Sequence, residues 1–291
     1  MCNQTPNQTR DRAWQPRMNG RLLIIGGGED RQDHKDVLER FVALSGGAGS
    51  RIAVITAASK VGEKLWDIYD AAFGALGVER RSEIHIDSRS AANDPETAAA
   101  IAACDGIFLT GGDQKRLLAL VGGTALEAAM HAALARGACV AGTSSGASAM
   151  SAHRLAYGGH EITPEKGSVG LGAGFGFIQR VIVDQHFSER HRLPRLLTAV
   201  AQNPSLIGIG IDEDTALLIE AGCAIEVLGA GTVTIVDGRG MVSNVADVRH
   251  HAVPEMLNVR LHILPAGSRH QANAEGALAD FIDIATKIGS S

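Results

Sequence analysis

The stretch Ala138-Cys139-Val140-Ala141-Gly142-Thr143-Ser144-Ser145-Gly146-Ala147 most constrains what this chain can fold into. A short apolar run passes into Gly-Thr-Ser-Ser-Gly and then into helix-forming residues, the pattern of a serine on a tight strand-to-helix turn. The two glycines let the backbone bend sharply and keep side chains clear of the Ser144 hydroxyl. Ser144 then stands exposed, with the Ser145 amide and a helix N-terminus free to stabilise an oxyanion. A strand feeding a helix in this way belongs to an α/β sheet, and a serine held there points to a hydrolase. The pattern is short. With 35 glycines in 291 residues, chance supplies it in roughly one such chain in four, so its weight comes from its surroundings.

Those surroundings repeat one theme. Apolar runs at 21–25, 51–56, 106–110 and 139–141 end in Gly26-Gly27-Gly28, Ala57-Ala58-Ser59, Gly111-Gly112 and the elbow. Helical spacing fills the intervals, as at 63–76 and 124–136. Strands alternating with helices predict a mostly parallel, doubly wound α/β sheet with helices on both faces and ligands at the carboxyl ends of the strands. Past residue 205 the texture shifts to short strand-like runs at 206–211, 215–219, 224–228 and 232–236, joined by turns such as Asp237-Gly238. They read as antiparallel additions to the same domain, followed by a last strand at 259–264 and a closing helix at 272–288. One domain over 20–291 is expected, behind a polar, disordered tail over 1–19.

Composition narrows the function. A net charge of −5 gives no basic field for nucleic acid, and no run of 18 apolar residues suggests a membrane span. The N-terminus lacks the apolar core of a secretory signal, which predicts a cytoplasmic chain. Cys2, Cys104, Cys139 and Cys223 form no Cys-x-x-Cys pair, so neither a disulfide framework nor a zinc site is expected.

Several constellations carry chemistry, and each admits two readings. Gly26-Gly27-Gly28-Glu29-Asp30 lacks the Lys-Ser/Thr of a phosphate loop and reads as a tight turn. Thr110-Gly111-Gly112-Asp113-Gln114 offers a second oxyanion amide, or a helix start capped by Asp113. His186, after Val181-Ile182-Val183-Asp184-Gln185, is a structural histidine or a base. Arg190, Arg192 and Arg195 form a solvated basic face or a cluster for carboxylates. Asp212-Glu213-Asp214 suggests a metal, or one acid that orients a histidine. The order serine, histidine, acid differs from the serine, acid, histidine of α/β-hydrolases, which disfavours that fold.

Together these segments, spread over residues 20–265, resemble the cyanophycinase family of serine peptidases. That group includes aspartyl dipeptidases and shares a fold related to class I glutamine amidotransferases. The family has Ser-Ala-Gly where this chain has Ser144-Ser145-Gly146. The resemblance implies Ser144 as nucleophile, His186 as base and Glu213 as orienting acid, with Gly112 and Ser145 giving the oxyanion amides. It implies a substrate pocket of Gln114, Asp184, Gln185, Arg190, Arg192 and Arg195, with the three arginines gripping an aspartyl backbone. The implied reaction is hydrolysis of multi-L-arginyl-poly-L-aspartate (cyanophycin) to β-aspartyl-arginine dipeptides, without metal or cofactor, by a homodimer. The alternatives are an aspartyl or isoaspartyl dipeptidase, a catalytically silent binding protein, and a metal-dependent amidase using the three acids.

Overall fold

A computed structural model describes residues 20–288 apart from 60–61, 160–161, 273–275 and 277, so the expected N-terminal tail lies outside the described residues. The first half is β1 (Arg21–Ile25), α1 (Asp36–Leu44), β2 (Arg51–Ile55), α2 (Gly62–Ala75), β3 (Arg80–Ile84), α3 (Arg89–Ala92) and α4 (Pro95–Ala102). It continues through β4 (Gly106–Leu109), α5 (Gln114–Val121), α6 (Ala125–Arg136), β5 (Cys139–Thr143) and α7 (Ser145–Met150). The second half is strand-rich: β6 (Ser151–Gly158), β7 (Val169–Ala173), β8 (Ile178–Gln185), α8 (Leu193–Gln202), β9 (Ile207–Ile211) and β10 (Thr215–Glu220). It ends with β11 (Ala224–Gly229), β12 (Thr232–Asp237), β13 (Val242–Ser243), β14 (Met256–Leu257), β15 (Arg260–Pro265), β16 (Arg269–Gln271) and α9 (Ala279–Ala285).

An eight-stranded sheet runs β16-β11-β10-β1-β5-β4-β2-β3. Its β1, β5, β4, β2 and β3 are mutually parallel, while β10, β11 and β16 continue it antiparallel. The parallel strands read as continuous apolar runs because both of their faces are buried. On β1, Leu23 and Ile25 meet Phe41 of α1 and Phe73 of α2, while Leu22 and Ile24 face the opposite core with Met130 and Leu134 of α6. That alternation is the two-residue period of a strand sandwiched between helices.

The strands beyond residue 205 divide between two sheets, and β9 departs from the antiparallel expectation on one of its edges. Only β10 and β11 of the four predicted runs join the first sheet. The other two enter a second sheet of six strands, in the order β15-β12-β9-β8-β6-β7. There β9 pairs parallel to β8, and antiparallel to β12. The Ile-Gly-Ile-Gly-Ile sequence of β9 explains the packing. Its isoleucines enter the core shared with the first sheet, and its glycines leave room for α8 and for Phe187 before it. A Cβ on Gly208 would lie 2.8 Å from Leu196, and one on Gly210 2.4 Å from the Phe187 ring. The closing helix is also shorter than predicted. It begins only at Ala279, because 269–271 pair with β11 and the Ala272 amide donates to the Cys223 carbonyl at 2.6 Å.

Two sheets thus meet at their strand ends. The carboxyl ends of β1, β4 and β5 come from one, those of β8 and β9 from the other. Residues 212–214 cross between the sheets, linking β9 to β10. Among the described residues no single helix is long and apolar enough to cross a membrane.

Candidate active site

Ser144 follows β5 and precedes α7 with φ 51° and ψ −113°, in a backbone region that a non-glycine residue rarely occupies. Such strain persists where the surroundings over-determine it. Gly142 and Gly146 have no positive φ. They serve close approach instead: a Cβ on Gly142 would meet the Gly146 carbonyl carbon at 2.7 Å, and one on Gly146 the Leu109 oxygen at 2.4 Å. The elbow glycines let α7 press onto β4 and β5, and the serine itself carries the bend.

The Ser144 Oγ lies 2.9 Å from His186 Nε2, and His186 Nδ1 lies 2.5 Å from Glu213 Oε1. This continuous chain from hydroxyl to imidazole to carboxylate is the arrangement that lets an imidazole take a serine proton. Burial holds the His186 imidazole below its ordinary value, and the Arg190 and Arg192 charges push the same way. The hydrogen bond and charge of Glu213 oppose them. A neutral imidazole at neutral pH is the form a base requires.

Two amides flank the serine. Ser145 occupies the first helical position of α7, where its N–H has no intrahelical acceptor. Gly112, with φ 144°, sits on the turn after β4. The Ser145 hydroxyl donates to the Gly112 carbonyl, tying one flank to the other. Asp113 also caps α5, its carboxylate accepting from the Lys115 and Arg116 amides. Both readings of that loop are therefore compatible.

The triglycine turn has a use that sequence did not reveal. A Cβ on Gly27 would lie 2.4 Å from His186 Cε1, and one on Gly28 3.0 Å from Glu213 Oε2. Gly27 and Gly28 form the wall against which the imidazole and the carboxylate rest. The three adjacent acids diverge. Asp212 accepts from the Ser188 amide and from the amide and hydroxyl of Thr232, and Asp214 accepts from the Asp30 amide. Only Glu213 reaches the histidine.

The six predicted pocket residues divide into two groups. Gln114, Asp184, Gln185, Arg192 and Arg195 line one cavity of about 210 Å³, together with Ser148, Leu155 and Tyr157. Within it the arginines are already engaged. Arg195 Nε donates to Asp184 Oδ2 at 2.6 Å, and Arg192 Nη1 to Asp184 Oδ1 at 3.2 Å and Gln185 Oε1 at 2.6 Å. The Asp184 side chain is 1% exposed. Two guanidinium groups share one carboxylate, so the cavity wall keeps one net positive charge. Burial pulls Arg192 down to about 10, which leaves it charged at neutral pH. Gln114 donates Nε2 to the Leu155 carbonyl, while its buried Oε1 has no partner among the described residues.

Arg190 stands apart. It is exposed, forms no ion pair among the described residues and lines a neighbouring cleft of about 590 Å³ with Phe187, Leu193, Leu261 and Ile263. The three arginines therefore do not form one clamp. Arg192 is the N-cap residue of α8 and Arg195 lies in its first turn, both bonded to Asp184 of β8, whereas Arg190 lies earlier on the turn after His186.

Comparison with known proteins agrees with this architecture. Peptidase family S51 matches residues 22–227. The cyanophycinase of Geminocystis herdmanii (strain PCC 6308) is 37% identical over 264 residues, covering 90% of this chain and 97% of that protein. That of Trichormus variabilis (strain ATCC 29413 / PCC 7937) is 38% identical over 250 residues, 85% of this chain and 84% of that one. A peptidase from an acI-B1 Actinobacterium shares the fold, with a TM-score of 0.66 at 24% identity over 88% of this chain and 98% of that one. The chain belongs to peptidase family S51.

Proposed function

We propose that this protein is a cyanophycinase, a serine-type hydrolase that cuts the aspartate backbone of multi-L-arginyl-poly-L-aspartate to β-aspartyl-arginine dipeptides. The observation that carries the reaction type is the hydrogen-bonded run from Ser144 through His186 to Glu213. The substrate class is supported by the near full-length likeness to cyanophycinases.

In this reading Ser144 Oγ attacks the carbonyl carbon of a backbone aspartyl amide as its proton passes to His186 Nε2. The oxyanion that forms is held by the Gly112 and Ser145 amides. The imidazolium is stabilised through Nδ1 by Glu213, then gives its proton to the departing amine as the carbon–nitrogen bond breaks. Water, deprotonated by the same imidazole, attacks the acyl-enzyme ester. Ser144 regains its proton and the new carboxylate leaves. The cavity beside Gln185 suits the substrate's chemistry. Its net positive Arg192–Arg195–Asp184 wall attracts a substrate carboxylate, and the Gln114 Oε1 is open to a substrate N–H or guanidinium.

The test is purified enzyme offered insoluble cyanophycin and, separately, a simple β-aspartyl dipeptide, with products read by mass. Release of β-aspartyl-arginine from the polymer is expected. Cleavage of the dipeptide alone moves the protein to the dipeptidase branch, and no cleavage of either contradicts the hydrolase reading.

A further inference from the structure

Glu29 is a buried carboxylate that the proposed chemistry does not use. It follows the triglycine turn and is 3% exposed. Its two oxygens accept from two hydroxyls on different elements: Thr143 Oγ1 donates to Oε2 at 2.6 Å, and the Tyr69 hydroxyl donates to Oε1. A buried carboxylate is costly unless hydrogen-bonded, so this one is held for what it touches.

Neither donor is free to move. Tyr69, on α2, is 2% exposed, with its ring 4.8 Å from that of Phe108 and 6.1 Å from that of Phe73. Burial and the Glu29 charge push its phenol well above the ordinary range, so it stays protonated and remains a donor. Thr143 is the last residue of β5, directly before the strained Ser144. It is the last side chain before the nucleophile.

The backbone of the same segment bonds the nucleophile, the base and the residue that follows the acid. The Ile25 carbonyl accepts from the Ser144 amide at 3.1 Å, that of Gly26 from His186 at 2.8 Å, and that of Gly27 from Asp214 at 2.9 Å. The Asp30 amide donates to Asp214 Oδ1 at 2.9 Å. Residues 25–30 thus form a jig that bonds nucleophile and base, and that bears on the acid through its neighbour Asp214 and the packing of Gly28. Glu29 supplies the jig's only side-chain hydrogen bond toward the serine elbow among the described residues.

We infer that Glu29 is a positioning residue which, through Thr143 and against the fixed Tyr69 hydroxyl, holds the Ser144 elbow in register with His186. The inference rests on the reading of Ser144 as nucleophile. A glutamine at 29 brings an N–H₂ group that cannot accept, so one of the two buried hydroxyls loses its acceptor and must turn. A shift well under 1 Å at Thr143 is transmitted directly to Ser144, and misplacement of a reacting group on the order of 1 Å can cost about 100-fold in rate.

The test measures kcat and KM for a soluble trimer of the aspartyl–arginine repeat, with melting temperature in parallel. Glu29→Gln and Thr143→Val are each expected to lower kcat by roughly 10- to 100-fold with KM nearly unchanged, since substrate contacts are intact. The double variant is expected to be no slower than the slower single one, because both break the same link. Thr143→Ser, which keeps the hydroxyl, is expected to retain most activity. A merely structural role would lower the melting temperature and leave kcat untouched. Wild-type kcat in Glu29→Gln overturns the inference. If that variant does not fold, wild-type kcat in Thr143→Val overturns it instead. An inactive wild type, or an active Ser144→Ala, defeats the functional reading first and this inference with it.

Discussion

Replacing Gly27 by alanine tests whether the triglycine wall sets the position of the base. The added Cβ would sit 2.4 Å from His186 Cε1 and 2.6 Å from Nε2. Ordinary carbon contacts begin near 3.4 Å, so the imidazole must retreat by about 1 Å or the loop must shift by as much. The Ser144–His186 bond of 2.9 Å then stretches toward 4 Å, beyond hydrogen-bond range. A base out of reach costs between about 10² from misplacement and about 10⁴ from outright loss. Alanine also pays on the order of 1–2 kcal/mol for the left-handed φ of 99°. Gly47→Ala supplies the control: φ there is 80°, and a Cβ meets nothing within 4 Å. Both variants should therefore lose comparable stability from strain, while only Gly27→Ala loses turnover. Initial rates on cyanophycin and thermal melts of the two variants decide it. Gly27→Ala turnover within about threefold of wild type, a barrier change of only about 0.65 kcal/mol, would show that the wall does not position the base.

Three further outcomes follow from the site. Because burial holds His186 below its ordinary value, the acid limb of kcat/KM should fall below pH 6.5, and Arg190→Ala should move it upward by removing a nearby positive charge. A limb that stays fixed contradicts that coupling. Asp184→Asn strands one buried guanidinium group and one largely buried one, and should cost about 3–5 kcal/mol in denaturant unfolding. Removal of Arg190, which is exposed and unpaired among the described residues, should cost under about 0.5 kcal/mol in the same assay. Since Asp212, Glu213 and Asp214 are each committed to different protein donors, dialysis against a chelator should leave turnover unchanged. A loss restored by a divalent ion would revive the metal-dependent alternative.

The elbow was legible in sequence because its determinants are local: an apolar β5, two small residues for close packing and a serine between them. Strands β1, β2 and β4 were legible for the same reason, each being an uninterrupted apolar run buried on both faces. The second sheet was not. β6 carries His153 and Arg154, β7 reads Val-Gly-Leu-Gly-Ala, and neither shows a strand's usual β-branched pattern. Which sheet β9 would join depends on β8, more than twenty residues earlier, and no periodicity within β9 reports that. The arginines illustrate the same limit. Their spacing announces a basic segment, but Asp184 becomes their partner only when α8 folds back over the end of β8. Gly26-Gly27-Gly28 was visible as a turn. That it walls in His186 and Glu213 depends on two segments more than 150 residues away.

The most direct test of the account sets wild type beside Ser144→Ala on cyanophycin, with soluble product identified by mass. The account predicts β-aspartyl-arginine from the wild type and a loss of at least about 10⁴ in rate for the variant. Comparable release by Ser144→Ala would show that the bond is broken by some other group.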